Sequence, residues 1–361
     1  FPQAALGDGA LVNPSPESLA AILFTSGTTR ATKGVMLSQV NYTSNALAVA
    51  EILEPLPSDC FVSVLPLHHA LEFTGGFLAP LFGGSTIQHL ESLKDVTETM
   101  KRAGCTVVIG VPRLYELFAD GIRAKLQEAG APKKLLVALM GGVAATAESL
   151  GGEQVRKRMF AQVHAVFGGK LRLFVSGGAP LNPELFHFFR RFGITIAEGY
   201  GLTETAPILT VNPLAAPKAG SVGMPLPGVE LRIRNSDPAG VGEVLARGPM
   251  VMQGYWRDPE ASERTYEEGW FKTGDLGRLD ADGYLHLTGR VKDVVVTAAG
   301  KKAYPDEIEA LFRTLPKVKE FCAVGLPARA GHGEELALVV VPEKDSALAR
   351  AAVRAFVDKV N

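Results

Sequence analysis

Charge of one sign is what this sequence lacks most: 37 Lys and Arg stand against 38 Asp and Glu, a formal net charge of −1. That balance leaves no basic footprint for a nucleic acid and no polybasic anchor for a membrane surface. Cysteine is scarce. Cys60, Cys105 and Cys322 lie far apart, show no metal-ligand spacing, and read as buried thiols of a reducing, cytoplasmic compartment. A long hydrophobic run is missing too. The longest uncharged stretch, Phe73 to Leu90, is broken by Pro80, four glycines and polar residues, so it makes a poor membrane span. The chain opens at Phe1 without the charged and apolar regions of a signal peptide. No internal repeat or low-complexity segment is evident. Apolar residues are plentiful at 47%, and 361 residues give room for two domains or one large one.

The most informative stretch is Thr25-Ser26-Gly27-Thr28-Thr29-Arg30-Ala31-Thr32-Lys33-Gly34. The apolar run Ala21–Phe24 before it reads as a short buried strand, and a polar strand-to-helix turn is the plain alternative for the loop itself. Small hydroxyl and glycine residues expose backbone N–H groups and hydroxyls with little bulk, and Lys33 adds a cation. Polyphosphate needs those properties together. The loop is not a P-loop, because Lys33-Gly34 is followed by Val35 rather than by Ser or Thr at the required spacing.

After the loop, Ser38 can cap a helix running to about Leu53. Strands are expected at Phe61–Leu65, Thr106–Ile109 and Leu171–Val175, with helices near 92–103 and 112–129. Alternation of this kind implies a parallel sheet covered on both faces. From about residue 220 strands become short and glycine and proline frequent: Glu230–Ile233, Glu243–Arg247 and Tyr284–Leu287, with Asp282-Gly283 as a hairpin turn. From Val291 alternation returns, with helices near 305–313 and 346–358 and strands near Glu320–Val324 and Leu336–Val341.

Several strand ends carry chemistry. The pair His68-His69 lies just past a strand, where α/β sheets place ligands. Gly75 and Gly76 leave room for an apolar acyl chain beside it, although ordinary core is an equal reading. Gly178, Ala179 and Pro180 form a second glycine turn. In Gly199-Tyr200-Gly201-Leu202-Thr203-Glu204, an aromatic flanked by glycines can lie flat on a purine. Thr203 offers a hydroxyl to phosphate, and Glu204 offers the hard oxygen ligand that Mg²⁺ favours. Asp275, after a Thr-Gly turn, can accept both hydroxyls of a ribose.

These segments, with Gly289-Arg290-Val291-Lys292-Asp293, stand in the order found in the adenylate-forming superfamily, and the chain resembles its acyl-CoA synthetases. Arg30 and Thr32 depart from the glycine and proline usual in that loop. The resemblance implies an α/β fold: a large domain over 1–289, with parallel sheets covered by helices and a small β-barrel subdomain, a hinge at 290–293, and part of a small α+β domain over 294–361. It implies that Thr25, Ser26, Gly27, Thr28, Thr29 and Lys33 grip the ATP phosphates, and that Gly178, Ala179 and Pro180 wall the adenine. Tyr200 and Thr203 then also contact the nucleotide, with Glu204 and Thr25 on Mg²⁺. Asp275 would hold the ribose, Arg290 ribose and phosphate, and His69 would sit beside the acyl pocket. Lys292 would be the hinge, and the loop ending at Gly300 would swing over the site for thioester formation.

The implied reaction joins a carboxylic acid, expected to be a medium- or long-chain fatty acid, to CoA through an acyl-adenylate. Lys33, Thr203, Glu204 and Arg290 are the expected catalytic residues. Transfer to an acyl carrier protein, luciferase-like oxidation, and a non-catalytic nucleotide-binding fragment are the alternatives. Relatives carry an α/β region before the loop and an essential lysine near their end. Residues 1–361 hold neither, so this stretch is expected to bind nucleotide and to adenylate poorly.

Overall fold

A computed structural model describes residues 14–25, 32–128, 157–158, 160–297, 302–312, 318–327, 333–343, 351 and 353–354. Ser26, Gly27, Thr28, Thr29, Gly300 and most of the helix expected near 346–358 lie outside the described residues. The chain divides into two compact units, Phe1–Glu230 with Ala246–Phe271, and Leu231–Leu245 with Lys272–Asn361.

Strand β1 (Leu19–Thr25) pairs antiparallel with β2 (Lys33–Ser38). Ser38 then caps α1 (Gln39–Leu53) as expected: its hydroxyl accepts the Asn41 N–H at 3.3 Å, and the Asn41 side chain accepts the Ser38 N–H at 2.7 Å. Next come β3 (Cys60–Ser63), a π-helix (Glu72–Leu78), α2 (Ala79–Phe82) and β4 (Thr86–His89). They are followed by α3 (Val96–Ala103), β5 (Val107–Gly110), α4 (Pro112–Glu128) and α5 (Ala161–Val166). Then β6 (Leu173–Ser176), α6 (Pro183–Arg191), β7 (Thr195–Gly201), β8 (Ile208–Val211) and β9 (Met224–Pro225) complete a seven-stranded sheet.

That sheet has the order β4-β3-β5-β6-β7-β8-β9. Its first five strands are parallel, and β8 and β9 run antiparallel to their neighbours. One face buries Val62, Val64, Val108, Phe174 and Ile196 against Met100 of α3, Tyr115 and Phe118 of α4 and Phe189 of α6. The alternation along β3 leaves Ser63 on the opposite face, the side that meets the π-helix.

Later strands are β10 (Glu230–Arg234), β11 (Gly242–Arg247) and β12 (Gly254–Tyr255). Then come α7 (Pro259–Thr265), β13 (Tyr266–Glu267), β14 (Trp270–Leu279) and β15 (Leu285–Arg290). In the second unit β11 lies between β10 and β14, and β15 pairs with β14 through the turn that Gly283 closes. There follow β16 (Val295–Val296), β17 (Lys302–Ala303), α8 (Pro305–Phe312) and the antiparallel pair β18 (Val318–Pro327) and β19 (Glu334–Pro342).

Three expectations are corrected. The run before the loop is a strand but not a buried one: β1 is the outer strand of the sheet β1-β2-β12, and Phe24 is 70% exposed. An apolar run suits a doubly covered strand, yet among the described residues a ladder partner occupies only one side of β1. The loop itself joins two antiparallel strands rather than a strand to a helix. Finally, Cys60 and Cys105 are buried but Cys322 is exposed, because it lies on the β18–β19 ribbon. Among the described residues no helix is long and apolar enough to cross a membrane.

Candidate functional site

In the first unit, the strands flanking the loop bring Thr25 and Lys33 opposite each other as ladder partners. On the other side of β2, β12 pairs Tyr255 with Val35 and Gly254 with Met36. The Lys33 ammonium lies over the Tyr255 ring, 4.5 Å from its centre. The Tyr255 hydroxyl donates to Glu204 Oε1 at 2.8 Å. Lys33 and Glu204 are thus joined through one aromatic side chain, and the cation and carboxylate expected to serve one ligand share one place. Burial, with the Glu204 carboxylate behind it, pushes the Tyr255 phenol up, so it stays a donor at any physiological pH.

Glu204 and Thr203 form a single 3₁₀ turn, Thr203–Thr205, at the end of β7. The Met252 N–H donates to the Glu204 carbonyl at 2.8 Å, which ties that turn to the segment leading into β12. Gly199, Tyr200 and Gly201 are the last residues of β7. Gly201 is obligatory in this fold: a Cβ there would run into the Pro207 carbonyl. Gly178, Ala179 and Pro180 are exposed in the turn after β6. That turn is held to β7 by Glu198, whose carboxylate accepts the Leu181 N–H at 2.8 Å.

Two helix residues not anticipated from sequence organise these turns. Asn41 donates to the carbonyls of Pro249 and Val251, at 2.7 and 2.9 Å. Asn45, one helical turn on and fully buried, donates to the Ile208 carbonyl at 2.6 Å and to that of Thr205 at 3.3 Å. Asparagines spaced i, i+4 on the buried side of α1 were the available signal. Asn45→Ala leaves two buried carbonyls without this donor and is expected to cost about 2 kcal/mol, read as a lower urea midpoint.

His68 and His69 lie in an exposed turn with ring centres 4.6 Å apart. The glycines expected to open an acyl pocket, Gly75 and Gly76, lie buried in the π-helix. Irregular turns of this kind recur at functional sites. A Cβ on Gly76 would meet Glu72 Oε1 at 2.6 Å, so this glycine makes room for a carboxyl group. Glu72 is fully buried, and no donor reaches either of its oxygens in hydrogen-bonding geometry. Burial pushes its pKa up to about 7, with the nearby Ser63 hydroxyl and Leu65 N–H offsetting only part of that rise.

In the second unit, Asp275 and Arg290 are opposite each other on β14 and β15, with Arg290 Nε 2.9 Å from Asp275 Oδ1. The two residues expected to serve the ribose are therefore an ion pair. Lys292 is exposed in the turn just after β15.

The residues fit a magnesium nucleotide. Glu204 presents a half-buried carboxylate whose Oε2 no donor engages among the described residues. Among those residues no three of His, Cys, Asp and Glu cluster. A single carboxylate beside a cation suits Mg²⁺, which takes few protein ligands and shares phosphate oxygens and water.

Residues 3–256 match the model of the AMP-binding enzyme family. The chain belongs to that family. It is 34% identical over 319 residues to a long-chain-fatty-acid–CoA ligase, FadD15, of Mycobacterium bovis, covering 85% of this chain and 52% of that protein. It is 32% identical to an oxalate–CoA ligase of Arabidopsis thaliana, covering 97% of this chain and 62% of that one. The crystal structure of ATP-bound MatB from Rhodopseudomonas palustris superposes with a TM-score of 0.75 at 31% identity, over 96% of this chain and 63% of that one. The chain therefore spans roughly half to two thirds of the length of the relatives it matches, and its fold is that of the acyl-CoA synthetases.

Proposed function

We propose that this chain is the nucleotide-binding part of an AMP-forming acid–CoA ligase acting on a medium- or long-chain fatty acid. The observation that carries the reading is the Lys33–Tyr255–Glu204 constellation beside the phosphate loop. The names of the relatives support ligation to CoA, and the ATP in the MatB crystal supports the nucleotide.

In this reading an oxygen of the substrate carboxylate attacks the α-phosphorus of ATP. The bond from that phosphorus to the bridging oxygen breaks, and pyrophosphate leaves. No general base is needed, since the nucleophile is already an anion. Lys33 and the loop amides neutralise the charge that builds on the leaving group. Mg²⁺ held at Glu204 would supply further neutralisation and hold the phosphates in line. Tyr200, Gly178, Ala179 and Pro180 take the adenine, Asp275 the ribose, Arg290 ribose and phosphate, and Lys292 serves as the hinge before CoA displaces AMP. Thr25 and Thr203 offer hydroxyls to the metal and phosphates.

A short dicarboxylic acid is the second reading, favoured by the likeness to an oxalate–CoA ligase. The segment assigned to the acyl chain argues against it: residues 72–78 carry no cationic side chain to pair with a second carboxylate. Pyrophosphate release by the full-length protein, scanned over acids from oxalate to palmitate, should peak at medium or long chains; a peak at oxalate sinks the fatty-acid assignment. Supplying CoA or holo-carrier protein to the same assay separates the two acceptors.

A further inference from the structure

Two tyrosines near the candidate site spend their hydroxyls differently. Tyr266 donates to the Met252 carbonyl at 2.6 Å, the ordinary way to satisfy a half-buried phenol. Tyr255 donates to the carboxylate of Glu204 and holds the Lys33 ammonium on its ring face. Its place is tightly set. It is 8% exposed, its backbone is in register with Val35 of β2, and its N–H is accepted by Ser262 Oγ at 2.8 Å.

We propose that Tyr255 is a positioning residue for the magnesium-bound triphosphate, spacing the Glu204 carboxylate and the Lys33 ammonium through one rigid side chain. The hydroxyl takes Oε1, which orients the carboxylate and presents Oε2. The ring face confines a long, flexible ammonium to one height above the strand. Changing a partner that orients a metal ligand in this way typically costs about 10- to 100-fold in metal affinity. A ring beneath an ammonium adds a smaller term for the cation. The proposal rests on the function proposed above, because the ligand is the nucleotide named there.

The test is calorimetric titration of the full-length protein with ATP across a Mg²⁺ series. Tyr255→Phe keeps the ring and removes the hydroxyl. The Mg²⁺ concentration for half-maximal strengthening of ATP binding should rise about tenfold, by more than metal-free ATP binding weakens. Raising Mg²⁺ should restore the affinity. Tyr255→Leu removes the ring as well, and metal-free ATP binding should then fall about three- to fivefold. A residue that merely supports the fold would weaken both kinds of binding alike, and extra Mg²⁺ would not restore them. A Tyr255→Phe protein whose Mg²⁺ requirement stays within about twofold of wild type overturns the proposal. Lys33→Ala and Glu204→Ala distinguish the two levels of failure. If they impair binding while Tyr255→Phe does not, only the role of Tyr255 falls; if neither impairs it, the proposed function falls and the role of Tyr255 with it.

Discussion

If the proposed function holds, Lys33→Ala is expected to lower pyrophosphate formation from ATP and the acid substrate by about 10²- to 10³-fold in the full-length protein. The effect is electrostatic. As the bond to the α-phosphorus breaks, negative charge collects on the leaving pyrophosphate. A cation about 4 Å away in a partly desolvated site is worth about 4 kcal/mol, which corresponds to about 10³ in rate. Lys33 follows the loop directly and is held over the Tyr255 ring, so in the proposed function its charge is already placed for the phosphates. The expected loss therefore falls mainly on kcat. Lys33→Arg should recover part of it, since charge is kept while the compact ammonium is replaced by a planar fork. Rapid-quench measurement of pyrophosphate separates this step from thioester formation. A Lys33→Ala enzyme within about threefold of wild type contradicts the role given to this residue.

The second large effect concerns stability and lies at Glu72. Its carboxyl group has an ordinary value of 4.5 and is pushed up to about 7 in the folded chain. Between those two pH values the folded state binds more protons than the unfolded one. Stability therefore falls as pH rises through that window and levels off above it. The difference amounts to about 3 kcal/mol. Glu72→Gln keeps the shape against Gly76 and removes the titration, so wild type should lose about 3 kcal/mol relative to the variant between pH 4.5 and 7.5. Urea unfolding at a series of pH values reads this directly. Parallel profiles for the two proteins would show that Glu72 meets water or a cation in the folded state.

Asp59 works in the opposite sense. Burial raises its pKa, but hydrogen bonds from Arg172 and from the Leu56 N–H outweigh burial and hold it below the ordinary 3.8. Its contribution is complete above the unfolded value and is lost as pH falls through the lowered folded value. The Glu72 window lies above the range where Asp59 titrates, so the two effects separate in one pH series.

The local features of this fold were legible in the sequence. Ser38 as a capping residue marked the start of α1, and Asp282-Gly283 marked the β14–β15 turn. The octet from Glu198 to Thr205 signalled the family, because glycine, aromatic, hydroxyl and acid stand within a few residues. What stayed hidden depends on contacts distant along the chain. Tyr255 meets Glu204 across 51 positions, and Asn45 meets Ile208 across 163. No periodicity carries such a pairing. The π-helix was hidden for a different reason. Glu72-Phe73-Thr74-Gly75-Gly76 has no regular apolar spacing, and the close approach of the Glu72 carboxyl group to Gly76 within it carries no sequence signal. The exposure of β1 was misjudged because an apolar run says nothing about how many ladder partners a strand will have.

The most direct measurement is an anomalous diffraction map of crystals soaked with Mn²⁺ and a non-hydrolysable ATP analogue. The account requires a manganese peak about 2.1 Å from Glu204 Oε2, with a phosphate oxygen within about 3 Å of Lys33 Nζ. A triphosphate seated away from Lys33, or a metal bound without Glu204, contradicts it.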